Sequence, residues 1–444
     1  MRMVAQSGWL VVVLAMFFIV VLANTLQAQT QSDASGQTSG TAQDAASRPA
    51  ATPIGAPTSA PPGGVPPGVV PYVSVSERYD SNVFFTPTNK QEDFVTNIAA
   101  GARVSYRNDM VDTTLRGGII SEVYARNPGL NYVGTNAVLN AALDKAVGKV
   151  VRGLGLSISD TVTYSPKPQA WLTPEVPDNS FISGIQTFRN NSLTNVANVL
   201  STYALTPSDL INASYSYQML RFYNTQGAVT GAVGGLFNTD VHIFQSGLDH
   251  QINPSNTIGA SYQHQQMSFQ LNTGGPSSGV DVDGAMATWR TVVAREWTVR
   301  VSPGISLLSS LPGEPQWTML ASLEWRTPMI TTITSYNRSI QPTFFQTGSA
   351  MISDSVALSI YHSLTSQWSI GGQGNYARSS ALGAESGNVQ FDSYGGRSFV
   401  SYIFYPGLIA SATATWDRFT FGAANSVNVV SRQTAVLSLT AEWN

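Results

Sequence analysis

Residues 433–443 read Gln433-Thr434-Ala435-Val436-Leu437-Ser438-Leu439-Thr440-Ala441-Glu442-Trp443, and their alternation decides the fold. Gln433, Ala435, Leu437, Leu439, Ala441 and Trp443 fall on one face, and Thr434, Val436, Ser438, Thr440 and Glu442 on the other. A period of two is the pleat of a β-strand. Here one face suits hydrocarbon and the other suits water. The same split sets Val133, Thr135, Ala137, Leu139, Ala141 and Leu143 against Tyr132, Gly134, Asn136, Asn140 and Asp144. It returns with Trp317, Met319, Ala321, Leu323 and Trp325 against Thr318, Ser322, Glu324 and Arg326, and with Leu408, Ala410, Ala412, Ala414 and Trp416 against Ser411, Thr413, Thr415 and Asp417. Such runs exceed the five or six residues of an average globular strand, and crossing a bilayer takes about 9–11.

The connections alternate between short and long. Compact turns stand at Arg107-Asn108-Asp109, Ala146-Val147-Gly148-Lys149, Thr206-Pro207-Ser208-Asp209, Asn253-Pro254-Ser255-Asn256, Thr327-Pro328-Met329, Ser363-Leu364-Thr365-Ser366 and Tyr405-Pro406-Gly407. Longer polar or Gly-rich loops come between them, near 80–93, 166–188, 223–239, 272–281, 379–389 and 420–430. Short turns at one end and long loops at the other are the pattern of an outer-membrane barrel, with the short turns in the periplasm. The expected fold class is therefore all-β, a transmembrane antiparallel β-barrel of about 18 strands, starting near 72, 94, 112, 132, 150, 190, 210, 240, 257, 282, 298, 317, 330, 350, 367, 389, 408 and 431. Closure is required because an unpaired sheet edge facing lipid has no hydrogen-bond partner. Aromatic girdles are expected at Tyr79, Tyr106, Tyr124, Tyr164, Tyr203, Trp325, Trp368, Tyr405, Trp416 and Trp443. The strands near 282 and 389 lack a clean lipid face, and Asp160, Arg152 and Asp354 fall in the apolar register, which points to one or two shifted strands. A secreted sandwich, propeller or β-helix is the competing architecture.

Composition agrees with a membrane barrel. Of 444 residues 43% are hydrophobic and only 11% charged, against about 25% charged in a soluble domain. Ser, Thr, Asn, Gln and Gly stand in for the missing charge, with 10% aromatic residues and a mean hydropathy of -0.01. The absence of cysteine excludes a disulfide scaffold and a zinc-thiolate site. A net charge of -3 argues against nucleic acid as partner. At the N-terminus Arg2 precedes an unbroken apolar run from Trp9 to Ala23, the length of a signal peptide and short for a spanning helix. Residues 1–28 are expected to be a cleaved signal. Residues 29–71, rich in Pro, Gly, Ser and Thr, are expected to be a disordered periplasmic tether, and 72–444 the barrel.

No catalytic constellation is found, so a non-enzyme with no cofactor and no metal is expected, an outer-membrane enzyme assembled from distant strands being the alternative. His242, His250, His264 and His362 spread over three strands, with His242 and His250 roughly 27 Å apart along one of them. Asp281 and Asp283 read as loop solvation, Gly153-Leu154-Gly155 as a strand, and Asp80 with Asn82 as a turn. The candidate functional positions are the polar-face residues that would line a lumen: Arg116, Glu122, Asn136, Asn140, Asp144, Asp249, Arg300, Glu324, Arg326 and Asp417. Wall-stiffening ion pairs are the alternative role for each.

Tyr79-Asp80-Ser81-Asn82-Val83-Phe84 resembles the first-strand motif of the β-barrel porin type 2 family, and Asp160-Thr161-Val162-Thr163-Tyr164-Ser165-Pro166 and the Tyr405-Pro406-Gly407 turn are similar to that family as well. The likeness covers about 72–444. It departs at the end of the chain, where Asn444 follows Trp443. What the resemblance implies is an outer-membrane barrel taking part in exopolysaccharide export, with exopolysaccharide and a polysaccharide-export protein as partners besides outer-membrane lipid and the barrel-assembly machinery. A general diffusion porin for small solutes, and a surface or structural barrel with a closed lumen whose loops 166–188 and 223–239 bind outside partners, are the alternatives.

Overall fold

The computed structural model describes residues 68–84, 86–165, 191–223, 237–271, 277–309, 314–342, 350–382, 390–423 and 426–443. The strands begin with β1 (Gly68–Asp80), β2 (Asp93–Arg107), β3 (Asp112–Tyr124), β4 (Tyr132–Ala142), β5 (Leu154–Ser165) and β6 (Asn191–Ala204). Next come β7 (Asp209–Tyr223), β8 (Phe237–Asn253), β9 (Asn256–Leu271), β10 (Ser277–Ala294), β11 (Trp297–Leu308) and β12 (Gln316–Arg326). The last are β13 (Ile330–Pro342), β14 (Ala350–Ser363), β15 (Trp368–Ala381), β16 (Gln390–Tyr405), β17 (Leu408–Ala423) and β18 (Ser426–Glu442). Each strand pairs antiparallel with its neighbours in sequence, and β1 pairs with β18, so the sheet has no free edge. It is a closed eighteen-stranded antiparallel barrel, as the alternation predicts.

The alternation fixes the faces. On β18, Leu437 and Leu439 are exposed outward at 66% and 47%, while Thr434, Ser438 and Thr440 are buried on the inner side. Directly opposite residues share a face, so the registers carry this assignment around the ring. At the short-turn end an outward aromatic belt includes Trp297 stacked on Trp325 at 5.7 Å, Trp368 against Tyr402 at 4.6 Å, and exposed Trp443. Tyr124, expected in a girdle, instead points inward and bonds Glu122, because it shares the phase of Glu122 two residues earlier.

Asp354 and Asp160 do face outward, without any register shift. Asp354 lies opposite Arg338, bonds it at 2.5 Å and accepts from the Tyr336 hydroxyl at 2.7 Å. The arrangement repeats near the long-loop end of other hairpins: Arg378 and Tyr376 with Asp392, Arg221 and Tyr217 with Asp240, His264 and Tyr262 with Asp283. Strand length explains it. An 18-residue strand such as β10, tilted by about 40°, rises about 45 Å, whereas the apolar band is about 25 Å tall. The upper parts of the long strands stand above hydrocarbon, and there the polarity inverts: Asp281 and Asp283 lie on the outer face while Val241, Met267, Phe269, Val280, Val282 and Leu308 pack together on the inner one. That inversion is why the strand near 282 shows no clean lipid face. It starts at 277. Asp160 is different in kind, sitting mid-strand between Ile158 and Val162, where it accepts from Asn195 Nδ2 at 2.6 Å.

Other expected boundaries change as well. The barrel starts at Gly68, inside the span read as tether, because Gly68 through Pro71 continue the β2 ladder opposite Ser105 through Ala102. The β4–β5 turn is a short helix, α1 (Asp144–Val150), so β5 starts at Leu154, Gly153 sits in the turn at φ 86°, and Arg152 precedes the strand. The last strand begins at Ser426, five residues before the expected 431.

Candidate functional site

The inner wall is the candidate site. Its cross-strand neighbours are chiefly hydroxyls and amides that bond one another: Ser74 with Thr440 at 2.9 Å, Thr288 with Ser302 at 3.0 Å, Ser411 with Ser438 at 2.6 Å, and Asn198 Nδ2 to Ser159 at 3.3 Å. Such pairs stabilise the sheet and leave further donors and acceptors for water.

Nine of the ten candidate positions lie on this inner face. Arg116 lies over the Tyr72 ring, 4.4 Å from its centroid. Glu122 is fully buried and is bonded by both Arg78 terminal nitrogens at 3.1 and 3.0 Å, by Asn97 at 3.1 Å and by the Tyr124 hydroxyl at 3.1 Å. Asn136 and Asn140 face inward opposite Gly118 and Thr114. Asp249 accepts from Asn212 Nδ2 at 3.0 Å. Arg300 stands opposite Arg290, Glu324 pairs with Arg326 at the short-turn rim, and Asp417 stands opposite Arg432. Asp144 is the exception. The strand ends at Ala142, and Asp144 opens α1, where its Oδ1 accepts the Leu156 backbone N–H at 2.7 Å.

The structure brings together a buried ionic network that the sequence pattern missed. Arg432 of β18 reaches Asp80 of β1 through Nε at 3.0 Å and Nη2 at 2.5 Å, and Arg78 lies 3.8 Å from Asp80 and bonds Glu122 of β3. Asp80 is 1% exposed and Glu122 not at all. The turn that follows is locked to the same place. Asp80 Oδ1 accepts from Asn82 N–H, the Asn82 amide donates to the carbonyls of Thr86 and Ser431 at 2.9 and 3.2 Å, and its oxygen accepts from Thr86 N–H at 3.1 Å. The segment Tyr79–Phe84 is thus the seam where the first and last strands meet. Outside the strands at this rim, Arg126 donates to Glu92 at 2.5 Å and holds its carboxyl below the usual carboxylate range.

Tyr72 lies in a row across three strands with Gly101 and Gly118. The absence of side chains there lets the ring lie against the wall, 7% exposed, beneath Arg116. A Cβ on Gly118 would come within 2.8 Å of Ala100 O and collide with the Tyr72 hydroxyl, whereas one on Gly117 would meet only Asn136 O at 3.7 Å. Gly118→Val is expected to lower stability by about 1–3 kcal/mol through overpacking, with Gly117→Ala nearly neutral. Urea unfolding of both variants checks the difference, and equal midpoints would refute the packing role of Tyr72.

Other inward arginines that single-strand patterns missed are Arg103, Arg290 and Arg397, the last on β16, whose outer face carries Gly396 and Ser398 in place of a continuous apolar row. Among the described residues no group of three or more His, Cys, Asp or Glu converges on a metal-sized site.

An apolar exterior, aromatic belts, a polar interior and a closed ring together define a transmembrane β-barrel of the outer-membrane type. No protein-family model and no curated protein matches the sequence. Among solved structures the chain is similar to the siderophore receptor PirA from Pseudomonas aeruginosa (7% identity, TM-score 0.45, 86% of this chain and 81% of that one). It is also similar to the outer membrane protein opdK from Pseudomonas aeruginosa (10% identity, TM-score 0.41, 85% and 99%) and to OccAB3 from Acinetobacter baumannii (10%, 0.41, 84% and 99%). At this level of likeness the assignment rests on the strand pairing itself.

Proposed function

We propose that the chain forms an outer-membrane channel for passive passage of small hydrophilic solutes. The observation that carries this reading is the closed ring of eighteen strands with hydroxyls, amides and arginines on its inner face, because a ring of that size encloses space for water unless loops fill it. No catalytic role is assigned. The reading includes cleavage of residues 1–28, a periplasmic spacer up to the start of β1, and insertion by the barrel-assembly machinery; residues 1–67 lie outside the described residues. The loops 166–188 and 223–239, on which the closed-surface-barrel alternative depends, lie mostly outside them as well.

Export of exopolysaccharide is the second reading, favoured by the hydroxyl- and amide-rich lining that suits a hydrated glycan. It stands second because the Tyr79–Phe84 motif, a carrier of the family resemblance, has its Asp80 and Asn82 side chains engaged in closing the seam. Purified protein reconstituted in planar bilayers is expected to give discrete conductance steps and to let small sugars swell loaded liposomes. An ion-tight barrel in both assays would sink the channel reading. For the second reading, a deletion strain would retain polysaccharide in its periplasm, and normal secretion would count against it.

A further inference from the structure

We infer that the periplasmic half of the lumen holds an anion-attracting site made by two arginine pairs, Arg103 with Arg116 and Arg290 with Arg300, so that the solutes admitted carry carboxylate or phosphate groups. The inference rests on the channel reading and names its substrate class.

The register places Arg103 directly opposite Arg116 on β2 and β3, and Arg290 directly opposite Arg300 on β10 and β11, all on the inner face. Like charges directly opposite one another destabilise a sheet. Here the arrangement occurs twice and at one level: each of the four arginines stands three or four residues from the short-turn end of its strand. The two pairs also face each other. The step from β2–β3 to β10–β11 is eight strands of eighteen, about 160° around the wall.

Many of the inner-face acids lie higher in the wall or are matched by other cations. Asp80, Glu122 and Asp93 lie toward the long-loop end, where Arg78 and Arg432 neutralise Asp80 and Glu122, and backbone and side-chain amides of Arg126 and Asn127 hold Asp93. Glu324 and Arg326 cancel at the rim. Near the four arginines the inner face carries Glu442, 3.5 Å from Arg103, Asp112, which pairs with Arg107, Glu324, which stands opposite Thr298 two residues from Arg300, and Asp249, held by Asn212, while β4 to β7 contribute no ionised inward residue among those described. Arg397 adds a further positive charge at mid-height. The guanidinium fork suits carboxylate and phosphate geometry, and arginine rings are the lining that selects anions in pores.

The test is the reversal potential of the full-length barrel in planar bilayers under a KCl gradient. Wild type is expected to prefer chloride. Arg103→Gln with Arg116→Gln, and Arg290→Gln with Arg300→Gln, are each expected to lower the chloride-to-potassium permeability ratio about fourfold, the effect of two unit charges about 10 Å from an ion in water and partly screened by salt. The corresponding lysine pairs should retain the preference. Heat-modifiable gel mobility confirms that each variant is a folded barrel. Potassium preference in wild type, or an unchanged ratio in a folded variant that combines all four glutamine substitutions (the fourfold variant), would overturn the inference while leaving the channel reading intact. Should the barrel pass no current, the channel reading alone fails. Calorimetric binding of tripolyphosphate, lost in the fourfold variant, then supports the site, and no binding by wild type overturns it. Current block by glutarate but not by an oligouronide assigns the site to small organic anions. Block by the oligouronide at lower concentration assigns it to an acidic glycan.

Discussion

Asp80→Ala is expected to be the most destabilising single change in the barrel, lowering unfolding free energy by about 3–5 kcal/mol, the range for removing one partner of a buried ion pair. Removal takes from the half-buried Arg432 guanidinium its hydrogen-bonded carboxylate, takes one of the two acids from beside Arg78, and deletes the acceptor for Asn82 N–H. The cost comes mainly from the positive charge of Arg432 and Arg78 that loses its buried counter-ion. Asp80→Ala combined with Arg432→Met should therefore recover part of the loss, which a double-mutant cycle in urea reads as coupling. A single variant with a wild-type midpoint would show that the network is solvated and not structural.

Leu437→Arg is expected to cost about 2–4 kcal/mol, the price of a guanidinium on the lipid face near the bilayer midplane. Leu437 is the most exposed large apolar residue of its row, at 66%, and lies about midway between Trp443 in the short-turn belt and Gln433, which pairs with Trp416. In water such a substitution on an exposed residue would change little. The same change at Ser438, one residue on and facing inward, should be tolerated far better. Folding into phospholipid vesicles, followed by urea titration, compares the two. If both arginines cost the same, the outer face does not meet hydrocarbon.

Much of this was legible because alternation reports the face of a residue without knowing its neighbours. Arg116, Glu122, Asn136, Asn140 and Asp417 fall on the inner face in the strand registers. Alternation cannot tell where a strand stops when the next residues keep the phase, and so Leu143 and Asp144 read as strand although α1 begins there. Nor does it report height. Asp354 looked like a shifted register because the rule of apolar outside holds only within the hydrocarbon, and this residue belongs with Arg338 near the outer rim. The seam network was invisible for another reason: Asp80 and Arg432 are 352 residues apart in sequence, and their meeting depends on closure. The arginine pairs needed the pairing offset between adjacent strands, which turn lengths set and no single strand contains.

The seam also acts as a checksum on assembly. Each of the seventeen hairpins adds its own offset, and the sum decides which residue of β18 arrives beside Asp80. A net slip of one residue would turn Arg432 toward lipid and take from Asp80 the guanidinium that bonds it. The long loops can change length freely so long as the pairing beneath them is kept. An error in any turn is felt at one place, the closing strand pair, where only the correct shear lets the last step of folding complete.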